Sequence, residues 1–132
     1  MDFEDFKNKR INDVSSLIGN GQICPEELTR FFLQKLSSDP RSEEIFTEVY
    51  KKSALASAKE SKQRAKVGLR RGLLDGIPIS VKDLADIKGK LTGGGSSLTN
   101  KEKARNNATF IDNLQGQGAI ILGKTHMTEL AF

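Results

Sequence analysis

Apolar residues recur at helical intervals through the first third of the chain. The spacing over Asp2–Ile18 predicts an amphipathic helix, and Gly19-Asn-Gly21 interrupts it. A second helix is predicted to begin at Pro25, because proline suits the first helical position. It should end at Asp39-Pro40, since the residue before a proline avoids helical backbone angles. Its inner stripe would consist of Leu28, Phe31, Phe32 and Leu36.

A third helix is predicted over Lys51–Lys66, which is rich in Ala, Lys, Glu and Gln, all good helix formers. Gly68 should stop this helix. The segment before it, Ile45–Tyr50, is ambiguous between a short extended piece and the start of a helix. These patterns assign residues 1–68 to a helical part and residues 72–132 to the start of an α/β sheet, within one domain.

Alternation replaces the helical spacing after a predicted turn at Asp75-Gly76. A strand is predicted over Ile77–Lys82, and Pro78 favours a strand-start or edge position in it. One face of this strand would carry Ile77, Ile79 and Val81, and the other would carry Pro78, Ser80 and Lys82.

The remaining elements follow a glycine-rich loop predicted over Gly89–Asn100. A helix is predicted over Ala108–Gln115, with Asn107 as its candidate N-cap. The apolar run Ala119–Leu122 then predicts a short buried strand. Helices, strand, helix and strand in this order indicate an α/β fold with a crossover helix.

Charge and composition narrow the classes of function. The 21 Lys and Arg residues against 17 Asp and Glu give a net charge of only +4. The densest basic stretch, Lys62–Arg71, has no aromatic residue to stack on a base, so no nucleic-acid partner is expected. The single cysteine, Cys24, excludes an intrachain disulfide, and the single histidine, His126, has no metal-ligand spacing around it. The acidic start and the lack of a long apolar run predict a cytoplasmic chain without membrane contact.

Two glycine motifs need an interpretation. Gly118–Thr125 matches the phosphate-binding pattern G-x-x-x-x-G-K-S/T, but its middle residues are Ala-Ile-Ile-Leu, which favour a buried strand over a curled loop. We therefore expect no nucleotide there. The segment Thr92–Ser97 could cradle an anion or carry a nucleophilic serine. We interpret it as a surface loop, because no strand leads directly into it as a nucleophile elbow requires.

Two segments carry a resemblance to a known family. Gly76–Asp83 reads Gly-Ile-Pro-Ile-Ser-Val-Lys-Asp and resembles the G-I-P-x-x-V-K-D segment of the amidase signature family. Gly118–Thr125, followed by Glu129-Leu-Ala131, is similar to the family's G-A-x-x-x-G-K-T/N-x-x-E-F-A segment. Gly95-Ser96 falls where the family has a Gly-Ser. The resemblance covers essentially the whole chain and is specific from Gly72 onward.

This resemblance implies hydrolysis of a carboxylic amide through an acyl-serine intermediate, without a cofactor or metal. The family's triad comprises a lysine, a bridging serine held by a cis peptide and a nucleophilic serine, and the lysine matches Lys82. Both family serines belong to a segment that follows the stretch matched up to Phe132, so neither Ser96 nor Ser97 inherits a triad role. The resemblance also implies the amidase signature fold, with N-terminal helices followed by the first strands of a mixed sheet flanked by helices. The chain is therefore expected to be the truncated first portion of a single amidase domain, residues 1–132, and to be inactive alone.

Other functions remain open at this point. The amidase subunit of aminoacyl-tRNA amidotransferase hydrolyses glutamine and shares these motifs, although the forms Leu74-Asp75-Gly76 and Val81–Leu84 lean towards the general amidases. The expected partners are a small-molecule amide together with a second copy of the chain or, for the alternative, amidotransferase subunits. A noncatalytic remnant is a further alternative, because the chain would carry only Lys82 of the three triad residues.

Overall fold

The computed structural model describes residues 4–99 and 102–132. The helices are α1 Glu4–Lys7, α2 Ile11–Gly19, α3 Pro25–Ser38, α4 Ser42–Ile45, α5 Lys51–Lys66 and α6 Thr109–Gly116, with a short 3-10 helix at Glu129–Ala131. The strands are β1 Phe46–Val49, β2 Pro78–Lys82 and β3 Ile120–Thr125. Within the described residues, no helix is both long enough and apolar enough to span a membrane.

The three strands form one mixed sheet in the order β1-β3-β2. The central strand β3 pairs in parallel with β2 and antiparallel with β1. Helix α6 lies in the connection from β2 to β3, which is the crossover that parallel strands require. The register between β2 and β3 shifts once, because Ile79 faces Ile121 whereas Ser80 faces Gly123. The predicted α/β class with a mixed sheet and flanking helices is confirmed.

Both faces of β3 are covered, as expected for a central strand whose successive side chains point to opposite sides. Ile120 and Leu122 pack against α3 and α5, in a cluster with Leu33, Ala54 and Ala58. Ile121 packs in a second cluster with Tyr50, Val81, Ala85, Ile87 and the α6 residue Ile111. A third cluster joins Ile77, just before β2, to Ile18 and Leu28 of α2 and α3.

Several predicted boundaries are confirmed. Helix α5 has the predicted limits, Lys51–Lys66, and Gly68 follows it with a positive φ of 70°. Helix α3 begins at Pro25 and ends just before Asp39-Pro40. The ambiguous segment Ile45–Tyr50 contains the end of α4 and the strand β1, so a strand that belongs to the sheet lies within the part assigned as helical.

Two local predictions were wrong. The helix predicted over Asp2–Ile18 is divided into α1 and α2, because the Asp13 carboxylate accepts a hydrogen bond from the Arg10 N–H at 3.0 Å and starts a new helix there. Residues 1–3 lie outside the described part. Asn107 is not the N-cap of α6, because Ala108 holds that position. The Asn107 side chain instead accepts a hydrogen bond from the Lys88 N–H at 2.7 Å.

Candidate active site

Lys82 is the last residue of β2 and lies at the carboxyl end of the two parallel strands. Its register partner on β3 is Thr125, whose carbonyl oxygen accepts a hydrogen bond from the Asp83 N–H at 3.0 Å. Open α/β sheets bind ligands at this edge of the sheet, in the crevice outside the strand ends. The fold therefore places Lys82 at the edge of the sheet where open α/β folds generally bind ligands.

The alternation predicted for β2 is confirmed from Ser80 to Lys82, whereas Pro78 and Ile79, predicted on opposite faces, are both half-buried. Ile77 and Val81 are buried, whereas Ser80 and Lys82 are exposed on the opposite face. Among residues 4–99 and 102–132, none forms a hydrogen bond or an ion pair with the Lys82 ammonium. The ammonium is thus open to groups that approach from outside this part of the structure.

A second lysine, Lys124 on β3, is buried, with 1% of its surface exposed. Its ammonium donates hydrogen bonds to the Leu91 carbonyl oxygen at 2.5 Å and to Thr92 Oγ1 at 2.8 Å. It also forms an ion pair with Asp83, 3.1 Å from Oδ1. The interpretation of the phosphate-binding pattern as a buried strand is confirmed, and the lysine of that pattern points into the protein.

Asp83 connects the end of β2 to the glycine-rich loop. Its carboxylate is buried, and Oδ2 accepts a hydrogen bond from the Gly93 N–H at 3.2 Å. Its carbonyl oxygen accepts a second one from the Gly94 N–H at 2.9 Å. A Cβ on residue 93 would lie 2.7 Å from Oδ2, so only glycine allows this approach. The residue that follows Lys82 is therefore fixed from both its side chain and its backbone.

The segment Thr92–Ser97 is a loop, as predicted, and it contacts the residues that follow β3. Gly95 has a φ of 68°, and a Cβ there would lie 2.7 Å from the Met127 carbonyl oxygen. Ser96 Oγ donates a hydrogen bond to Glu129 Oε1 at 2.5 Å. Ser96 thus makes a structural contact with Glu129.

The other singled-out residues have structural contacts. His126 is exposed, its N–H donates to the Ile45 carbonyl oxygen at 2.8 Å, and its ring Nε2 lies 3.1 Å from the Glu43 carbonyl oxygen. Cys24 is half-buried in the N-cap position of α3, without a side-chain capping hydrogen bond. His126 thus connects the chain after β3 to α4, whereas Cys24 occupies a helix-capping position.

The basic stretch Lys62–Arg71 supplies Arg64 to an ion pair with the buried Asp75, near the opposite end of β2. Arg64 donates to both carboxylate oxygens of Asp75, at 2.8 Å from Nε and 2.7 Å from Nη2. The Arg71 N–H donates to the same carboxylate at 2.9 Å. Burial by itself would raise the pKa of Asp75, but the hydrogen bonds from Arg64 and Arg71 outweigh it and lower that pKa. Part of this stretch therefore joins α5 to the turn before β2.

Comparison with known proteins decides the family. The model of the Amidase family matches residues 27–132, which is most of the chain. The chain belongs to the amidase family. This membership agrees with the predicted family resemblance and with the positions of its two motifs on β2 and β3.

Relatives of this amidase segment include proteins with different activities in their names. A mitochondrial glutamyl-tRNA(Gln) amidotransferase subunit of Canis lupus familiaris is 36% identical over 123 residues, which are 93% of this chain and 23% of that protein. The peptide amidase of Stenotrophomonas maltophilia has a TM-score of 0.83 and 25% identity, over 94% of this chain and 26% of its own. A bacterial aryl acylamidase of the amidase signature enzymes shares the fold, with a TM-score of 0.80 and 21% identity over 92% of this chain and 26% of its own. The chain spans about a quarter of the length of these relatives.

Sequence reasoning missed the roles of Lys124 and Asp83. Lysine is almost never fully buried unless it is paired, so its place after an apolar run gave no reason to expect burial. The signal that could have found the pair is the acidic residue directly after β2. Because the carboxyl ends of parallel strands meet at one edge, Asp83 and Lys124 had to lie close together.

Proposed function

We propose that this amidase segment supplies the lysine of a serine-dependent amide hydrolase, and that this lysine is Lys82. The observation that carries the proposal is its position: Lys82 lies at the carboxyl end of β2, its amino group is exposed and has no partner among the described residues, and its segment resembles the family motif. A general base must reach the proton that it removes. A side chain engaged in the protein, as Lys124 is, could not do so.

In this proposal, neutral Lys82 accepts a proton through the bridging serine while the nucleophilic serine attacks the amide carbonyl carbon. The resulting lysine ammonium then returns a proton through the bridging serine to the leaving nitrogen, so the C–N bond breaks and an acyl-serine remains. Water, deprotonated by the same relay, hydrolyses the acyl-serine and regenerates the serine. Both serines would come from the family segment that follows the matched stretch.

The test measures amide turnover in a polypeptide that contains residues 1–132 together with the segment that supplies the two serines. Lys82→Ala should lower kcat by about 10²–10⁴-fold or more, the range for loss of a general base. Lys82→Arg should fail as well, because a guanidinium does not give up its proton in a protein. Since Lys82 is exposed, both variants should keep the melting temperature of the wild type.

The matched control for this test is Lys88→Ala, since Lys88 is an exposed lysine in the segment after β2. It should retain wild-type turnover. The 132-residue chain alone should release no ammonia from any simple amide, because residues that act as one catalytic unit do not work separately. Wild-type rates in Lys82→Ala would show that the proposed role of Lys82 is wrong.

A second candidate is a glutamine-hydrolysing subunit of an aminoacyl-tRNA amidotransferase. The observation that favours it is the name of the relative at 36% identity, which is an amidotransferase subunit. In the sequence analysis, by contrast, the form of Leu74-Asp75-Gly76 favoured a general amidase. Glutamine hydrolysis that depends on copurified partner subunits would support this candidate. Turnover of simple amides by a homodimer or monomer would support the general amidase.

Both candidate functions are proposed to operate in the cytoplasm. Fluorescence microscopy of the tagged polypeptide would test this location.

A further inference from the structure

The two ends of β2 are held by two different buried ion pairs. Asp75, which precedes the strand, is bound by Arg64 of α5. Asp83, which follows the strand, is paired with Lys124 of β3. The first pair lies at the end of the strand away from Lys82, and the second lies directly beside it in sequence. The structure thus contains a pair at the candidate site and a comparable pair remote from it.

Three oxygen atoms surround the Lys124 ammonium, which donates hydrogen bonds to the first two and forms an ion pair with the third. These are the Leu91 carbonyl, the Thr92 hydroxyl and the Asp83 carboxylate. Thr92 Oγ1 in turn donates to Asp86 Oδ1 at 2.8 Å. One buried cation therefore joins β3, the end of β2 and the loop that follows it. A hydrophobic side chain would fill the same space without making any of these connections.

We propose that Lys124 is a positioning residue for Lys82, acting through Asp83. The N–H and carbonyl of Asp83 are bonded to Thr125 and Gly94, and its carboxylate contacts Gly93 and Lys124, so Asp83 has little freedom to move. The backbone that carries Lys82 is fixed as a result. This inference rests on the proposed function, since it concerns the geometry of the same proton relay.

The decisive variant is Lys124→Met, which keeps an unbranched side chain of similar length but removes the charge and all three donors. In the longest polypeptide that carries residues 1–132, kcat should fall about 10- to 100-fold, because displacement of a catalytic group by about 1 Å can cost 10²-fold. KM should change by less than about threefold, since Lys124 is buried and does not contact a substrate.

The matched control is Arg64→Met, which breaks the buried pair at the other end of β2. It should lower the melting temperature as Lys124→Met does, but its kcat, measured at a temperature where both are folded, should stay within about threefold of wild type. The double variant Lys124→Met/Asp83→Asn removes both charges of the pair. It should recover melting temperature, because no unpaired buried charge remains, while kcat stays low, because residue 124 no longer links residue 83 to Leu91 and Thr92.

The outcomes separate the two claims. Wild-type kcat in folded Lys124→Met, together with loss of turnover in Lys82→Ala, would overturn the positioning role and leave the proposed function intact. Retained turnover in Lys82→Ala would overturn the proposed function itself. If Lys124→Met does not fold, Thr92→Val removes a single acceptor and gives the same readout: a lowered kcat with an unchanged KM supports the inference, and a wild-type kcat contradicts it.

Discussion

The pair Arg64–Asp75 offers a quantitative test of what holds β2 to the helical part. The Asp75 side chain has no exposed surface, and it receives two hydrogen bonds from Arg64 and one from the Arg71 N–H. Asp75→Asn keeps the shape but removes the charge. Removing one partner of a buried ion pair costs about 3–5 kcal/mol. Because Arg64 retains 19% exposure and can take up some water, we expect the lower value, about 3 kcal/mol.

Hydrogen exchange measures this cost locally, whatever the length of the polypeptide. At 1.36 kcal/mol for each factor of ten, about 3 kcal/mol corresponds to exchange of α5 and β2 amides that is roughly 100-fold faster. Glu60→Gln is the matched control, because Glu60 is 72% exposed and lies 4.0 Å from the same Arg64. In Glu60→Gln, the exchange rates of the α5 and β2 amides should change by less than about fivefold, because exposed ion pairs contribute little to stability. Equal exchange in Asp75→Asn and wild type at neutral pH would refute this account of the pair.

The pH dependence gives a second check on Asp75. Its pKa is lower in the folded chain than in the unfolded chain, so the unfolded chain binds more protons as the pH falls. The stability contribution is therefore fully present above the unfolded value, about 4, and is lost as the pH falls through the folded one. The difference in exchange between wild type and Asp75→Asn, corrected for intrinsic rates, should shrink as the pH falls below the unfolded value of about 4. A difference that stays constant over this range would contradict the assignment of the charge to Asp75.

Two further results are expected. Calorimetry with Mg-ATP should detect no binding, because the Lys124 ammonium is buried and already bound; micromolar affinity that disappears in Lys124→Ala would contradict this. The 132-residue chain alone should associate in solution, since β1 and β2 are the edges of the described sheet and Leu98 and Phe110 are exposed; a monomer with a cooperative melt, seen by light scattering and calorimetry, would show an autonomous domain instead.

The helices with strong local signals could be predicted from the sequence. Lys51–Lys66 consists of good helix formers, lies after a strand-length segment and is stopped by Gly68, so local preference alone defines it. Strand β1 could not be predicted in the same way. Three of its four residues, Thr47, Glu48 and Val49, are exposed, so its extended form depends on antiparallel pairing with β3, which is far away in sequence.

In the candidate site as well, local features could be predicted from the sequence and long-range contacts could not. The alternation of β2 correctly placed Lys82 on the exposed face, and the family resemblance proposed its role. The contacts of Lys124 with Leu91 and Thr92 could not be predicted, because both partners come from a loop whose path depends on the packing of Gly93 against Asp83. Long-range polar contacts of this kind leave no periodic signal in a sequence.

The position of β3 has a consequence for how the protein is made. It is the middle strand of the sheet, but it comes last of the three along the chain. During synthesis, β1 and β2 therefore leave the ribosome before β3, their partner among the described strands, although α3 and α5 can already pack together. The sheet forms when Ile120–Thr125 inserts between two strands that were synthesised earlier. A nascent chain paused before Ile120 would expose both of their inner edges to chaperones.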